Sequence, residues 1–122
     1  MTDIERDEER EHRIEMEIVV DCYDEYERAS GWECCLGDSL NFPFKAKCIE
    51  ELRVSPLKEG EVVSVLDLIP LEDGDEHFFV EIEWNNRTMG VPLHQLQGVD
   101  VDDETDQMIE DWKYWVAQGY GF

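Results

Sequence analysis

The stretch from Pro43 to Val99 limits the possible folds more than any other part of the chain, because short β-forming runs alternate with turn signals. Pro43 prevents helix continuation, and four extended runs follow it: FKAKC, VVSVLDLI, HFFVEIEW and RTMGVPL. Asn85 and Asn86 separate the last two runs, where a tight hairpin turn needs residues that tolerate positive φ. Four short strands at hairpin spacing indicate a small, twisted antiparallel sheet or barrel.

Helical patterns lie on both sides of these strands. In the segment from Met16 to Leu40, apolar residues recur from Tyr23 at steps of three and four, which predicts a helix capped by Asp21 that Gly31 and Gly37 can bend or split. Thr105 to Ala117 predicts an amphipathic helix, whose apolar face carries Met108, Ile109, Trp112, Trp115 and Val116. Residues 1–15 carry seven acids and few aliphatic anchors, which is typical of a solvated helix or a disordered arm.

The fold class predicted from these segments is α+β. We expect an acidic arm over residues 1–15 and a single domain over residues 16–122. The domain contains an N-terminal helix, a small SH3-like antiparallel β-barrel and a C-terminal amphipathic helix. The fragment VPLHQLQGV has the pattern of the single-turn helix and last strand that close many SH3-like barrels.

Charge excludes several classes of partner. The chain has 32 Asp and Glu against 10 Lys and Arg, a formal net charge of -22. Such a field repels nucleic acids and anionic membranes and concentrates cations near the surface. The start of the chain does not resemble a signal peptide, and there is no apolar run of about 18 residues. We therefore expect a soluble, cytoplasmic protein without nucleic-acid or membrane partners.

Nothing in the sequence predicts an enzyme. His12, His77 and His94 are scattered, and surface or structural roles suit them better than catalysis. The common nucleotide-binding, hydrolase and zinc-protease motifs do not occur. In a reducing compartment the four cysteines are more often buried apolar residues than disulfides, and their spacing is poor for zinc: Cys22, Cys34, Cys35 and Cys48.

The ligands that the chain offers in excess are oxygens, which suit Ca²⁺. Three clusters contain them. The first is Asp100, Asp102, Asp103, Glu104 and Asp106; the second is Glu72, Asp73, Asp75 and Glu76 around Gly74; the third is Glu33, Asp38 and Asn41. Helix capping explains the first cluster about as well as calcium does, and a hydrophilic turn explains the second. A simple C-terminal turn explains Asp38 nearly as well as a bound cation does.

The first cluster does not form an EF-hand. Counting from Asp100, the sixth position is Thr105 instead of the glycine that makes the sharp turn, and the twelfth is Asp111 instead of the usual bidentate Glu. Any calcium site here is therefore irregular, exposed and rich in water.

Two long stretches, DCYDEYERASGWECCLGDSLNFPFKAKC and VPLHQLQGVDVDDETDQMIEDWKYWVAQGY, resemble the CcbP-type calcium-binding proteins of cyanobacteria. The resemblance implies an acidic, non-EF-hand protein that binds Ca²⁺ on a negatively charged surface and influences free cytosolic calcium. It also implies calcium contact at Asp38 and at the acids of the GVDVDDETD segment.

The sequence therefore predicts a cytosolic Ca²⁺ buffer or sensor that uses surface carboxylates. The predicted ligands are Asp38, Asn41, Asp100, Asp102, Asp103, Glu104 and Asp106. The alternative is an acidic protein-interaction module with incidental cation binding, whose aromatic contact surface would be formed by Trp112, Tyr114, Trp115 and the terminal GYGF.

Overall fold

A computed structural model of the chain describes residues 7–20, 22, 24–72 and 77–119. Helix α1 spans Glu8–Arg13 and continues as a π-helical turn over Ile14–Ile18. Helix α2 spans Glu25–Ser39, and helix α3 spans Asp103–Ala117 near the C-terminus. The five strands lie between α2 and α3.

The strands form one antiparallel sheet in the order β4-β3-β2-β1-β5. Their bounds are Phe44–Cys48 for β1, Val62–Leu68 for β2, Phe79–Trp84 for β3, Arg87–Pro92 for β4 and Leu96–Val99 for β5. In β1, buried Phe44, Ala46 and Cys48 alternate with exposed lysines, as expected for a strand with one face on the core. The α+β class and the antiparallel sheet predicted from the sequence are confirmed.

The predicted turns are also present. Asn85 and Asn86 have φ values of 53° and 63°, so both adopt the left-handed conformation of a two-residue type I′ hairpin between β3 and β4. A single 3₁₀ turn, Leu93–Gln95, connects β4 to β5. This turn carries His94, and the amide of Leu93 donates a hydrogen bond of 2.9 Å to the carbonyl of Phe78.

The helices meet the sheet through an aromatic cluster. Trp32 of α2 and Trp112 of α3 pack edge to face with ring centroids 5.1 Å apart, and Phe78 packs against Trp112 at 4.9 Å. All three are at most 1% exposed. This edge-to-face geometry is the one that aromatic quadrupoles favour, and the cluster fixes α2 and α3 relative to the sheet.

The first helical region differs from the prediction in one respect. The predicted helix is present as α2, but it begins at Glu25, and the preceding helical turns end at Ile18. The N-cap of α2 is Asp24, whose side chain accepts a hydrogen bond of 2.9 Å from the amide of Glu27. Asp21, the predicted cap, lies outside the described residues.

The glycines do not split α2, since the helix runs through Gly31 and Gly37 without interruption. Gly31 instead allows close packing. A Cβ atom there would lie 2.5 Å from the carbonyl oxygen of Ile18, so only glycine lets the π-helical turn approach α2 this closely.

Helix α1 packs against α3 through buried polar contacts. Asp111 is 1% exposed, and its Oδ1 accepts from Arg10 Nη1 at 2.6 Å while its Oδ2 accepts from Arg13 Nε at 3.2 Å. Tyr114 donates from its hydroxyl to Glu11 at 2.8 Å and accepts from the amide of Asp7 at 3.1 Å. Ile14, directly after α1, is fully buried. Part of the predicted acidic arm is thus a helix joined to the C-terminal helix.

No helix within the described part of the chain combines the length and the apolar character needed to cross a lipid bilayer. All four cysteines are free thiols, and Cys48 is buried.

Candidate calcium site

The end of α2 and the start of α3 meet at a set of oxygen-bearing residues that we call the α2–α3 junction: Ser39, Asn41, Asp102 and Thr105. The side-chain amide of Asn41 donates to Asp102 Oδ2 at 3.1 Å, and its backbone amide donates to the Thr105 hydroxyl at 3.1 Å. The same hydroxyl lies 2.6 Å from Asp102 Oδ1 and 3.3 Å from the carbonyl oxygen of Ser39. The junction therefore connects segments that are more than 60 residues apart in the chain.

Asp102 caps α3, as the capping interpretation of this acidic segment predicted. Its side chain accepts from the amide of Thr105 at 3.3 Å. The hydrogen bond from the Thr105 hydroxyl, followed by that from the Asn41 amide, lowers the pKa of Asp102 below its ordinary value, so this carboxylate is ionised over most of the pH range.

Asp38 lies in the last turn of α2 and is exposed. Its Oδ2 is 3.8 Å from the Sγ of Cys34, one turn earlier. The last turn contains no basic residue. Because the final carbonyls of a helix have no intrahelical amide partners and carry the negative end of its dipole, Asp38 adds a carboxylate to an already negative helix end.

The remaining predicted ligands are exposed acids around the start of α3. Asp100 precedes the cap and has a φ of 53°, while Asp103, Glu104 and Asp106 occupy the first turn. Acids in a first turn compensate the positive end of the helix dipole, so part of their charge is already balanced. Because α3 begins at Asp103, most of the twelve-residue window from Asp100 is helix, and the EF-hand count fails structurally as well.

The structure thus brings Asn41 to Asp102 and leaves the other predicted ligands around this contact. Within residues 7–20, 22, 24–72 and 77–119, no three His, Cys, Asp or Glu side chains are grouped closely enough to hold a metal ion. A cation at the junction would therefore draw on amide, hydroxyl and carbonyl oxygens and on water in addition to carboxylates. This is a donor set that Ca²⁺ accepts and Zn²⁺ does not favour.

Glu33 of the third cluster and the acids of the second cluster have different outcomes. Glu33 of α2 accepts a hydrogen bond of 3.2 Å from the amide of Leu71, so it holds the segment after β2 against α2. In the second cluster Glu72 is exposed, whereas Asp73, Asp75 and Glu76 lie outside the described residues.

Thr105 was not among the predicted site residues. It is fully buried, and its hydroxyl forms hydrogen bonds with Asn41, Ser39 and Asp102. A signal for it exists in the sequence, because Thr105 stands three residues after the cap Asp102, where a side chain can reach back to its capping residue.

The tryptophans and the tyrosine that would form the contact surface of an acidic interaction module are buried. Trp112, Tyr114 and Trp115 are 1%, 9% and 8% exposed and belong to the core. Of the terminal GYGF, the last three residues lie outside the described part of the chain.

Comparisons with known proteins agree with the predicted resemblance. A CcbP family model, described as calcium binding, matches residues 12–116. The crystal structure of CcbP from Anabaena is 41% identical with a TM-score of 0.84, and a structure described as a calcium-binding protein in the calcium-binding form is 40% identical with a TM-score of 0.82. Each similarity covers 100% of both chains. A search of curated proteins found no match. This chain belongs to the CcbP family of calcium-binding proteins.

Proposed function

We propose that the protein is a cytoplasmic Ca²⁺ buffer or sensor, without catalytic activity, that binds the ion at the C-terminal end of α2 beside the α2–α3 junction. The observation that carries the proposal is the contact between Asn41 and Asp102, at 3.1 Å, next to a helix end that has a carboxylate and no basic residue. Membership of a calcium-binding family supports the choice of ion.

The two helix ends differ in their suitability for a cation. The C-terminal end of α2 carries the negative end of the helix dipole, and the exposed carboxylate of Asp38 lies in its last turn. The N-terminal end of α3 is positive and already balanced by its own acids. We therefore propose Asp38 and neighbouring carbonyl oxygens as the principal ligands.

Asn41 and Asp102 have a second role in this proposal. Both oxygens of Asp102 already accept hydrogen bonds, from Thr105 and from Asn41. Calcium contact at Asp102 would use a remaining lone pair or replace the Asn41 bond. We propose that Asn41 and Asp102 connect the bound ion to α3, while Asp100, Asp103, Glu104 and Asp106 supply outer ligands and negative field.

The net charge of -22 supports the rest of the proposal. It favours cation capture and disfavours nucleic acids and anionic membranes, so we propose neither as a partner. Bound calcium would relieve repulsion among the acids and stabilise the folded state by linkage. We also propose that the sheet closes as an SH3-like barrel, on the basis of its strand order and the 3₁₀ turn before β5.

Calcium titration calorimetry on the intact chain, repeated with magnesium at equal ionic strength, tests the proposal. Asp38→Asn should weaken calcium binding by about tenfold or more, because it removes the charged ligand at the helix end. Glu83→Gln is the matched control, since Glu83 is an exposed acid on β3 and its loss changes the net charge equally. Equal weakening in both variants would mean that the general field, and not a site at α2, accounts for binding.

Amide hydrogen exchange distinguishes a buffer from a sensor. The amides of Asn41 and Thr105 report directly on the junction, because one donates to the Thr105 hydroxyl and the other to Asp102. A sensor should change their protection when calcium binds, whereas a buffer should leave the protection within about twofold of the calcium-free value.

A further inference from the structure

His77 and His94 form a ring pair that their sequence positions did not suggest. His77 lies two residues before β3, and His94 is the middle residue of the 3₁₀ turn. Their ring centroids are 4.9 Å apart with an interplanar angle of 53°. The hydrogen bond from Leu93 to Phe78 joins the residues beside them, so the backbone fixes the two rings as neighbours.

Both rings have an unsatisfied nitrogen. The Nδ1 atoms of His77 and His94 are buried and have no hydrogen-bond partner among the described residues. A buried polar atom without a partner costs about 1–3 kcal/mol, so two such atoms on adjacent rings are unusual in a stable fold. The two rings are therefore not hydrogen-bonded to each other through their Nδ1 atoms.

The ring spacing fits a shared metal ion. A zinc-type ion lies about 2.05 Å from an imidazole nitrogen, and the ring centre lies about 1.15 Å farther along the same line, which puts the ion about 3.2 Å from each centroid. With centroids 4.9 Å apart, the two ligand directions then meet at about 100°. That angle lies between the octahedral and tetrahedral values.

We propose that His77 and His94 form a two-imidazole site for a borderline divalent metal ion, with Zn²⁺ or Ni²⁺ as examples, separate from the oxygen ligands of calcium. Imidazole is the ligand that these ions prefer, whereas Ca²⁺ prefers oxygen. The two imidazoles are the protein ligands in this proposal, and water completes the coordination. The site is thus open and exchangeable.

The groove beside His77 provides access for an ion. His77 lines a groove of about 300 Å³ together with Leu71, Glu72 and Phe79, and this volume accommodates an ion with its water ligands. Rotation about χ2, a broad torsion in histidine, changes which ring nitrogen of His77 faces the groove.

Zinc titration calorimetry of the full chain in excess calcium tests this site. The variant His77→Gln/His94→Gln should bind zinc at least about tenfold more weakly than the unmodified protein, because it removes both imidazoles. His12→Gln is the matched control, since His12 is an exposed histidine on α1, and it should bind zinc as the unmodified protein does. Equal zinc affinity in the double variant and the unmodified protein would overturn the proposal.

Two further measurements make the result independent of folding and of the calcium proposal. Histidine ring NMR signals of the unmodified protein should shift at His77 and His94 on addition of zinc, whereas shifts at His12 alone would contradict the site. Cobalt substitution should give spectra of nitrogen and oxygen ligation, and thiolate charge-transfer bands would place the metal on cysteine instead. Calcium affinity should be the same in the double variant, so failure of one proposal does not imply failure of the other.

Discussion

Of the substitutions that remove one negative charge, neutralisation of Asp111 should lower the free energy of unfolding most. Asp111→Asn keeps the volume of the side chain and removes its negative charge. The change leaves Arg10 and Arg13 beside a neutral amide in a place where the carboxylate is 1% exposed. The hydrogen bond to Asp111 raises the pKa of Arg13, because the carboxylate stabilises the charged guanidinium, and the variant loses this stabilisation.

The expected loss follows from the burial of the partners. Breaking a buried ion pair on one side costs about 3–5 kcal/mol. The arginine side chains are 26% and 27% exposed, so water recovers part of this energy once the carboxylate is gone. We therefore expect the free energy of unfolding to fall by about 2–3 kcal/mol.

Urea denaturation at equilibrium measures this loss. An unchanged dependence of the free energy of unfolding on urea concentration would show that both proteins expose the same surface area when they unfold. Glu110→Gln is the control on the same helix. It removes the 2.6 Å contact between Glu110 and Lys113, whose side chains are 33% and 15% exposed, and should cost about 1 kcal/mol or less. A loss below about 1 kcal/mol for Asp111→Asn, or one equal to the control, would refute the view that this contact holds α1 in place.

Two further predictions concern packing and pH. Gly31→Ala should lower the free energy of unfolding by about 1–3 kcal/mol in the same assay, because its Cβ would meet the Ile18 carbonyl oxygen at 2.5 Å. Gly37→Ala, with nothing within 4 Å, should raise it by about 0.5–1 kcal/mol, and the reverse order would contradict the described packing. His94 has a folded pKa of about 4 against an ordinary value of 6.5, so the unfolded state binds more protons between these values and stability falls as pH is lowered through that window. After allowance for partial exposure this loss is about 1–2 kcal/mol, and thermal melting of His94→Gln should show a correspondingly flatter pH dependence.

Local patterns predicted those parts of the fold whose cause is local. The Asn85–Asn86 hairpin follows from the tolerance of Asn for positive φ, and α3 follows from its apolar face. The π-helical turn over Ile14–Ile18 was not predictable in this way, because its close approach to Gly31 joins two separate helical segments. A helical pattern alone does not contain that tertiary contact.

The candidate site was predictable in its chemistry but not in its assembly. The oxygen-rich composition indicates calcium, and the position of Asp102 before an apolar run indicates a cap. The contact between Asn41 and Asp102 spans 61 residues, and no periodicity reports on such a pairing. Asp111 was equally hidden, because a charged residue in an amphipathic helix predicts solvent exposure unless its partners on another helix are known.

The attachment of α1 to α3 has a consequence for synthesis of the chain. The contact between Arg10 and Asp111 spans 101 residues, so α1 leaves the ribosome long before its partner helix has been translated. Until then the core around Ile14 and Ile18, which are buried in the folded protein, is incomplete. The acids around them keep this waiting segment hydrated and discourage contact between nascent chains, since like charges repel. The last helix to be made therefore completes the docking of the first.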